Sequence, residues 1–210
     1  MCQFLHVGDY FLVKFALQSS ALRSKLFTKK KALQMNDTTS SLARPDNSTK
    51  FTLRPIQPAD NQKVALIVRT VMTEFGCVGE GYSILDPEVD DMYSAYSGPR
   101  TAFFVVASKS SGEVFGCGGI GPLIGGSGDV CELKKMYFLP ELRGLGFGQK
   151  MVTICVETAK ALGYTRCYLE TVARMKQANH LYQKMGFEKI CAPMGATGHG
   201  GCDAWYIKQV

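Results

Sequence analysis

The stretch that most restricts how this chain folds is residues 131–148, CELKKMYFLPELRGLGFG. An apolar run leads to Pro140 and then to Arg143-Gly144-Leu145-Gly146-Phe147-Gly148, after which Met151, Val152, Cys155, Ala159 and Leu162 recur as one helical stripe. Strand, glycine turn and helix in that order make a site for an anion. Glycines let the backbone approach a ligand with no Cβ in the way, and the unpaired N–H groups of the first helical turn supply donors with a favourable dipole. Gln149-Lys150 stand where a nucleotide P-loop would carry Lys-Ser/Thr, so a triphosphate is a poor candidate.

The surrounding texture is strands alternating with helices. Residues 51–55 read as a strand, and Pro58-Ala59-Asp60 opens a helix with Val64, Ile67, Val68, Val71 and Phe75 on one face, broken by residues 76–81. Asp86-Pro87-Glu88 starts another helix with Asp86 as its N-cap. Residues 101–108 and 113–119 form a hairpin through the turn at 109–112. Strands are predicted at 131–138, 166–170, 187–191 and 203–208, and helices to Leu162 and over 177–185, stopped by Gly163 and Gly186. Hairpins first and helix–strand alternation later predict an α+β fold on a mixed sheet. Gly116-Cys117-Gly118-Gly119-Ile120-Gly121 spells a dinucleotide fingerprint, but Pro122, Gly125, Gly126 and Gly128 forbid the helix it requires, so these glycines read as strand end and loop. The segment 195–201 reads as a loop in which His199 could face a substrate pocket, although an exposed loop position is the favoured reading.

Charge sits at the front. Residues 1–50 hold eight Lys/Arg against three Asp/Glu, while residues 51–210 hold 16 against 15, so the body offers no basic face for nucleic acid beyond the pair Lys134-Lys135. Residues 1–35 carry six basic residues against Asp9 alone, a transit-peptide composition, and residues 36–50 read as a linker. Residues 1–50 are therefore read as a basic, disordered leader and linker, and residues 51–210 as the folded domain. The eight cysteines include no C-x-x-C pair and mostly lie in apolar runs, which points to buried thiols in a reducing compartment. The expected location is cytoplasmic, or mitochondrial if residues 1–35 are a transit peptide. No stretch approaches the roughly 18 apolar residues of a membrane helix, so no membrane partner is expected.

The run from Glu132 to Gly148 resembles the acetyl-CoA signature of the GNAT N-acetyltransferase superfamily, whose core is Gln/Arg-x-x-Gly-x-Gly/Ala. Residues 178–187, ANHLYQKMGF, resemble that family's second signature at the expected separation. The resemblance covers about residues 51–210. It implies a single domain with a largely antiparallel central sheet flanked by helices. It further implies acetyl-CoA as cosubstrate, held by Arg143, Gly144, Leu145, Gly146, Phe147 and Gly148, with backbone donors at Met136, Tyr137 and Phe138 for the thioester oxygen.

Acetyl transfer to an amine needs a neutral amine, a polarised carbonyl and a protonated leaving thiolate. An alkylamine of pKa about 10.4 is mostly ammonium at neutral pH, so a carboxylate is wanted to take its proton. Glu132, Glu170 and the acids at 86–91 qualify, and the resemblance favours Glu132, with Glu170 second. Asp86, Glu88, Asp90 and Asp91 are otherwise explained as first-turn residues opposing a helix dipole. The resemblance nominates Tyr182 as acid toward the coenzyme thiolate. Asn179, three residues earlier on the same helical face, would address the pantetheine arm. Packing of Tyr182 with Leu181 and Phe187 is the structural alternative. Cys131 or Cys167 as an acyl-carrying nucleophile lacks a neighbouring His in sequence. The expected reaction is direct attack by a small-molecule primary amine in a ternary complex, without metal. A non-catalytic acyl-CoA-binding module and a lysine or N-terminal protein acetyltransferase stand as alternatives, and the oligomeric state, a homodimer included, is left open.

Overall fold

The computed structural model describes residues 47–210; the leader and nearly all of the linker expected over residues 1–50 lie outside the described residues. Asn47–Lys50 form a single 3-10 turn in place of the end of that linker, running straight into the first strand. The strands are β1 Phe51–Pro55, β2 Ala102–Ser108, β3 Val114–Pro122, β4 Val130–Phe138, β5 Arg166–Thr171, β6 Glu188–Ile190 and β7 Ala204–Gln209. The helices are α1 Asn61–Glu74, α2 Met92–Ala95, α3 Phe147–Ala161 and α4 Lys176–Lys184. One seven-stranded sheet runs in the order β1-β2-β3-β4-β5-β7-β6. Only the β4–β5 pair is parallel, which makes the sheet mixed and largely antiparallel.

Both faces of the sheet are covered, and β2 shows why its sequence is an unbroken apolar run. Phe103, Val105 and Ala107 pack on the side of α1, against Val64, Ile67, Val68 and Val71. Phe104 and Val106 alternate to the other face, against Met151, Val152, Cys155 and Ala159 of α3. Asp60 anchors the start of α1. Its carboxylate takes the Arg54 guanidinium at 2.7 and 2.9 Å and the Gln57 N–H at 2.7 Å, which ties the helix to β1.

The glycines at 116–121 lie inside β3, which runs on to Pro122, rather than in a loop. Close approach explains them: a Cβ on Gly118 would fall 2.6 Å from Met136 Sδ and 3.0 Å from Met151 Cγ. Opposite Gly118, β4 carries one residue too many. Gly119 pairs with Lys134 and Cys117 with Tyr137, so Lys135 and Met136 share one position, and Lys135 takes the left-handed φ of 56°. This is a β-bulge, and bulges bend the strand that bears them. On its other side β4 pairs with β5 only over Val130–Glu132, after which no strand contacts that edge. The parallel pairing ends at Glu132, just before the bulge at Lys135-Met136, and the gap beyond it is where the cavities lie.

Candidate active site

Two cavities meet in that gap. The larger, about 460 Å³, runs past Phe138, Arg143, Gly144, Gly146, Phe147 and Gly148 to Leu181 and Tyr182. The smaller, about 70 Å³, is lined by Glu132, Lys134, Lys135, Glu170, His199 and Tyr182, with Met72, Cys77 and Tyr82 on the side of α1. Met136, Tyr137, Met175, Ala178 and Tyr182 belong to both.

The larger cavity ends on the glycine turn. Gly144 and Gly146 have φ of 80° and 79°, conformations that a side chain strains, and Gly146 is the N-cap of α3. A Cβ on either would meet no protein atom within 4 Å, so the turn is open to a ligand. The helical ladder begins with Lys150 N–H on Gly146 O at 3.2 Å, which leaves the N–H groups of Phe147, Gly148 and Gln149 ahead of it without intrahelical partners. These donors and the positive end of a 15-residue helix suit a diphosphate. Arg143 stands beside them, its guanidinium bidentate on Glu74 at 2.6 Å for each bond and its Nε donating to Phe138 O at 3.1 Å. Gly148 has a packing role as well, since a Cβ there would fall 2.9 Å from Leu181 of α4. Leu145 packs on the core and does not line the cavity.

Asn179 also stands outside both cavities. Its amide donates to Val172 O and Met175 O, each at 2.9 Å, and accepts from the Tyr206 hydroxyl at 2.8 Å. Both amide protons are spent closing the β5–α4 turn, so it positions α4 instead of reaching a pantetheine arm. One turn along, Tyr182 packs as the structural alternative expects and also reaches both cavities. Its ring packs 6.0 Å from Phe187 and 6.1 Å from Tyr206, and it forms the wall shared by the two cavities. Burial, joined by the neighbouring thiols Cys155 and Cys167, raises the phenol well above its ordinary value, so it holds its proton throughout the neutral range.

The smaller cavity is built from charges that the sequence scattered. Glu132 is 3% exposed, and its Oε2 is buried with no hydrogen-bond partner. Burial raises its carboxyl, against the lowering charge of Lys134 at 3.7 Å. Glu170 is more satisfied, its Oε1 accepting from the Tyr168 hydroxyl at 2.7 Å and from Thr197 Oγ1 at 3.1 Å. Lys135 has a side chain only 1% exposed and pairs with Asp86 Oδ2, with Glu88 Oε1 at 3.4 Å. His199 is not a surface loop residue. Its Nε2 donates to Asp86 Oδ2 at 3.1 Å and its Nδ1 lies 3.7 Å from Glu170 Oε2. The hydrogen bond to Asp86 raises the imidazole above its ordinary value in spite of burial. Burial alone would raise Asp86, but the His199 hydrogen bond and the Lys135 charge outweigh it and hold its carboxyl well below the usual range.

Asp86 does stand at the N-cap position of a short 3-10 turn, Pro87–Asp90, with Glu88 in its first turn, but its side chain makes no capping bond and turns to Lys135 and His199 instead. Asp91 does make a capping bond, accepting from Ser94 N–H at the start of α2, and Asp90 is a surface partner of Arg69. No short-range signal marks the cluster, since Lys135 lies 49 residues from Asp86, and His199 lies 113. Cys131 and Cys167 sit fully buried in the core under α3 and line neither cavity. A hydrogen bond with Cys131 together with burial pushes the Cys167 thiol well up, so these cysteines are packing residues. The described residues contain seven free cysteines, five of them buried, and no group of three or more His, Cys, Asp or Glu arranged to hold a metal. No described helix is long and apolar enough to cross a membrane.

The comparisons with known proteins fit this geometry. The profile of the Acetyltransferase (GNAT) family matches residues 69–187. The uncharacterized N-acetyltransferase YjgM of Escherichia coli K12 is 42% identical over 159 residues, covering 75% of this chain and 94% of that protein. A GNAT-family acetyltransferase from Staphylococcus aureus Mu50 superposes with a TM-score of 0.66 at 17% identity, over 76% of this chain and 98% of its own. The phosphinothricin acetyltransferase of Sinorhizobium meliloti, solved in complex with AcCoA, superposes with a TM-score of 0.61 at 23% identity, over 77% and 89% of the two chains.

Proposed function

Because the chain belongs to the acetyltransferase (GNAT) family, we propose that it transfers an acetyl group from acetyl-CoA to a primary amine on a small molecule, by direct attack in a ternary complex. The observation that carries this reading is the shared wall of the two cavities, where Tyr182 lies between the glycine-turn cleft on one side and the buried carboxylate of Glu132, whose Oε2 has no hydrogen bond, on the other.

The free N–H groups of Phe147, Gly148 and Gln149, with Arg143, hold the diphosphate. Arg143 then exchanges one anionic partner, Glu74, for another. The coenzyme supplies an acyl group activated as a thioester. The bulge at Lys135-Met136 turns the open edge of β4 toward the cleft, which supports backbone donation to the thioester oxygen from residues 136–138. Glu132 takes the ammonium proton. Its raised carboxyl lies nearer to neutral than an exposed glutamate's, which makes it a stronger base. Tyr182 stays protonated and donates a hydrogen bond to the leaving sulfur. Holding amine and thioester in adjoining cavities removes much of the entropic barrier of a bimolecular step.

The test is a panel of small primary amines incubated with acetyl-CoA and followed by release of free thiol, alongside calorimetry of acetyl-CoA binding. Amine-dependent thiol release with micromolar coenzyme affinity is the expected result. Coenzyme binding with no release across the panel refutes the catalytic reading.

A further inference from the structure

We propose that the smaller cavity accepts amines bearing a single positive charge and no carboxylate, because every cation lining it is already paired with an acid, the acids outnumber those cations, and the buried Glu132 Oε2 has no hydrogen bond. This deepens the reading of that cavity as the acceptor site and rests on it.

Four carboxylates, Asp86, Glu88, Glu132 and Glu170, face two lysines and one imidazole here. Lys135 is held by Asp86 and by Glu88 at 3.4 Å. Lys134 is held by Glu88 at 3.4 Å and Glu132 at 3.7 Å. His199 bridges Asp86 and Glu170. The acids nevertheless outnumber the cations. Glu132 Oε2 and Glu88 Oε1 are buried with ammonium groups 3.4–3.7 Å away but without a hydrogen bond, and Glu132 lines the cavity. With His199 protonated, as its bond to Asp86 favours, the group carries one negative charge in excess.

A buried cluster disfavours uncompensated charge strongly. One ammonium brings this one to neutrality. An amino acid brings a carboxylate in addition, and among the described residues that line the cavity no cation is unpaired to receive it. Arg174 is exposed at the rim formed by Cys77 and Tyr82 and donates to Gly76 O at 3.1 Å, Tyr82 Oη at 3.2 Å and Cys77 Sγ at 3.3 Å. The cavity of about 70 Å³ takes the amine end of the acceptor, and the remainder extends toward this rim.

The experiment uses matched pairs that differ only in a carboxylate, phenethylamine against phenylalanine and isoamylamine against leucine. Each is titrated by calorimetry into the full chain saturated with coenzyme A, and each is assayed with acetyl-CoA for thiol release. The amine of each pair is expected to lead by about 100-fold or more in affinity and in kcat/KM. Glu88→Gln, which removes one negative charge behind the cavity, should weaken amine binding by about tenfold and narrow the gap. Arg174→Gln should leave the ratio unchanged. Equal or tighter binding of the carboxylated member overturns the proposal, as does failure of every member to bind. Selective amine binding without thiol release sustains the charge selectivity and refutes acetyl transfer. Turnover with preference for the carboxylated member does the reverse.

Discussion

Replacing Tyr182 by Phe isolates one oxygen atom. The ring keeps its contacts with Phe187 at 6.0 Å and Tyr206 at 6.1 Å, and its position as the wall between the cavities is unchanged. The hydroxyl makes no hydrogen bond to any described residue, so its loss leaves no partner stranded and should alter unfolding free energy by less than about 1 kcal/mol. A hydrogen bond donated to a developing thiolate is worth about 2–3 kcal/mol, which converts to a fall in kcat of about 30- to 150-fold. Burial keeps the phenol protonated throughout the working range, so the deficit should be the same from about pH 6 to pH 9. The assay is thiol release under saturating amine and acetyl-CoA, with the dissociation constant of acetyl-CoA measured separately by calorimetry. A kcat within about threefold of the parent would refute the acid role. So would a loss appearing wholly in coenzyme affinity, because that is the mark of binding shared equally by ground and transition states.

Glu132→Gln should lower kcat by about 10²–10³-fold and abolish the acidic limb of the kcat/KM profile, since that limb reports a carboxyl whose burial raises it. The same raised carboxyl binds a proton more tightly in the native chain than in the unfolded one, so its contribution to stability falls as pH rises from about 4. The glutamine variant should therefore be more stable than the parent at neutral pH, by about 1–3 kcal/mol in urea unfolding, with the advantage vanishing in acid; a destabilised variant would show that the buried carboxylate is satisfied. Asp86→Asn leaves the Lys135 ammonium, 1% exposed, with Glu88 alone and should cost about 2–4 kcal/mol. The depressed Asp86 carboxyl stabilises above about pH 4 and loses that effect as pH falls, while the raised His199 stabilises below about pH 6.5 and loses it as pH rises. The parent should hence lead Asp86→Asn most between those limits, and a gap that does not vary with pH would count against the pairing. Gly146→Ala meets no steric neighbour but must adopt a φ of 79°, so about 1 kcal/mol of stability and a measurable share of coenzyme affinity should go together; unchanged calorimetric affinity would remove Gly146 from the site.

Legibility in the sequence followed chain distance. The glycine turn, the stripe of α3, the left-handed Gly163 and the hairpin of β2 and β3 are all set by neighbours within a few positions, where steric rules and periodicity operate, and each appears in the structure near its expected place. The strand read to Gly119 continues to Pro122, and what its glycines are for lies in distant neighbours that the local pattern does not show: Phe138 and Leu142 over Gly116, Met136 and Met151 over Gly118, Phe103 over Gly119. The acceptor side was the least legible. Asp86 next to Pro87 has the local pattern of a helix cap, and His199 amid glycines has that of an exposed loop. Both patterns are overridden by Lys135, whose buried ammonium requires a carboxylate wherever the chain can bring one.

That override links the bulge to the acceptor pocket. A lysine at a left-handed φ is held there only if its surroundings over-determine it, and the pairing of Lys135 with Asp86 supplies that constraint. The bulge bends β4 away from β5 and opens the edge that would donate to a thioester. Asp86 also holds His199, and through it the loop after β6 that closes the acceptor cavity. One carboxylate thus contacts both the bulge of β4 and, through His199, the wall of the smaller cavity. A change in that loop reaches the bulge through two polar contacts. If the smaller cavity takes the acceptor as proposed, substitutions at residues 195–201 should change kcat for thiol release as well as amine affinity, and a change confined to amine affinity would show that these contacts do not couple the two cavities.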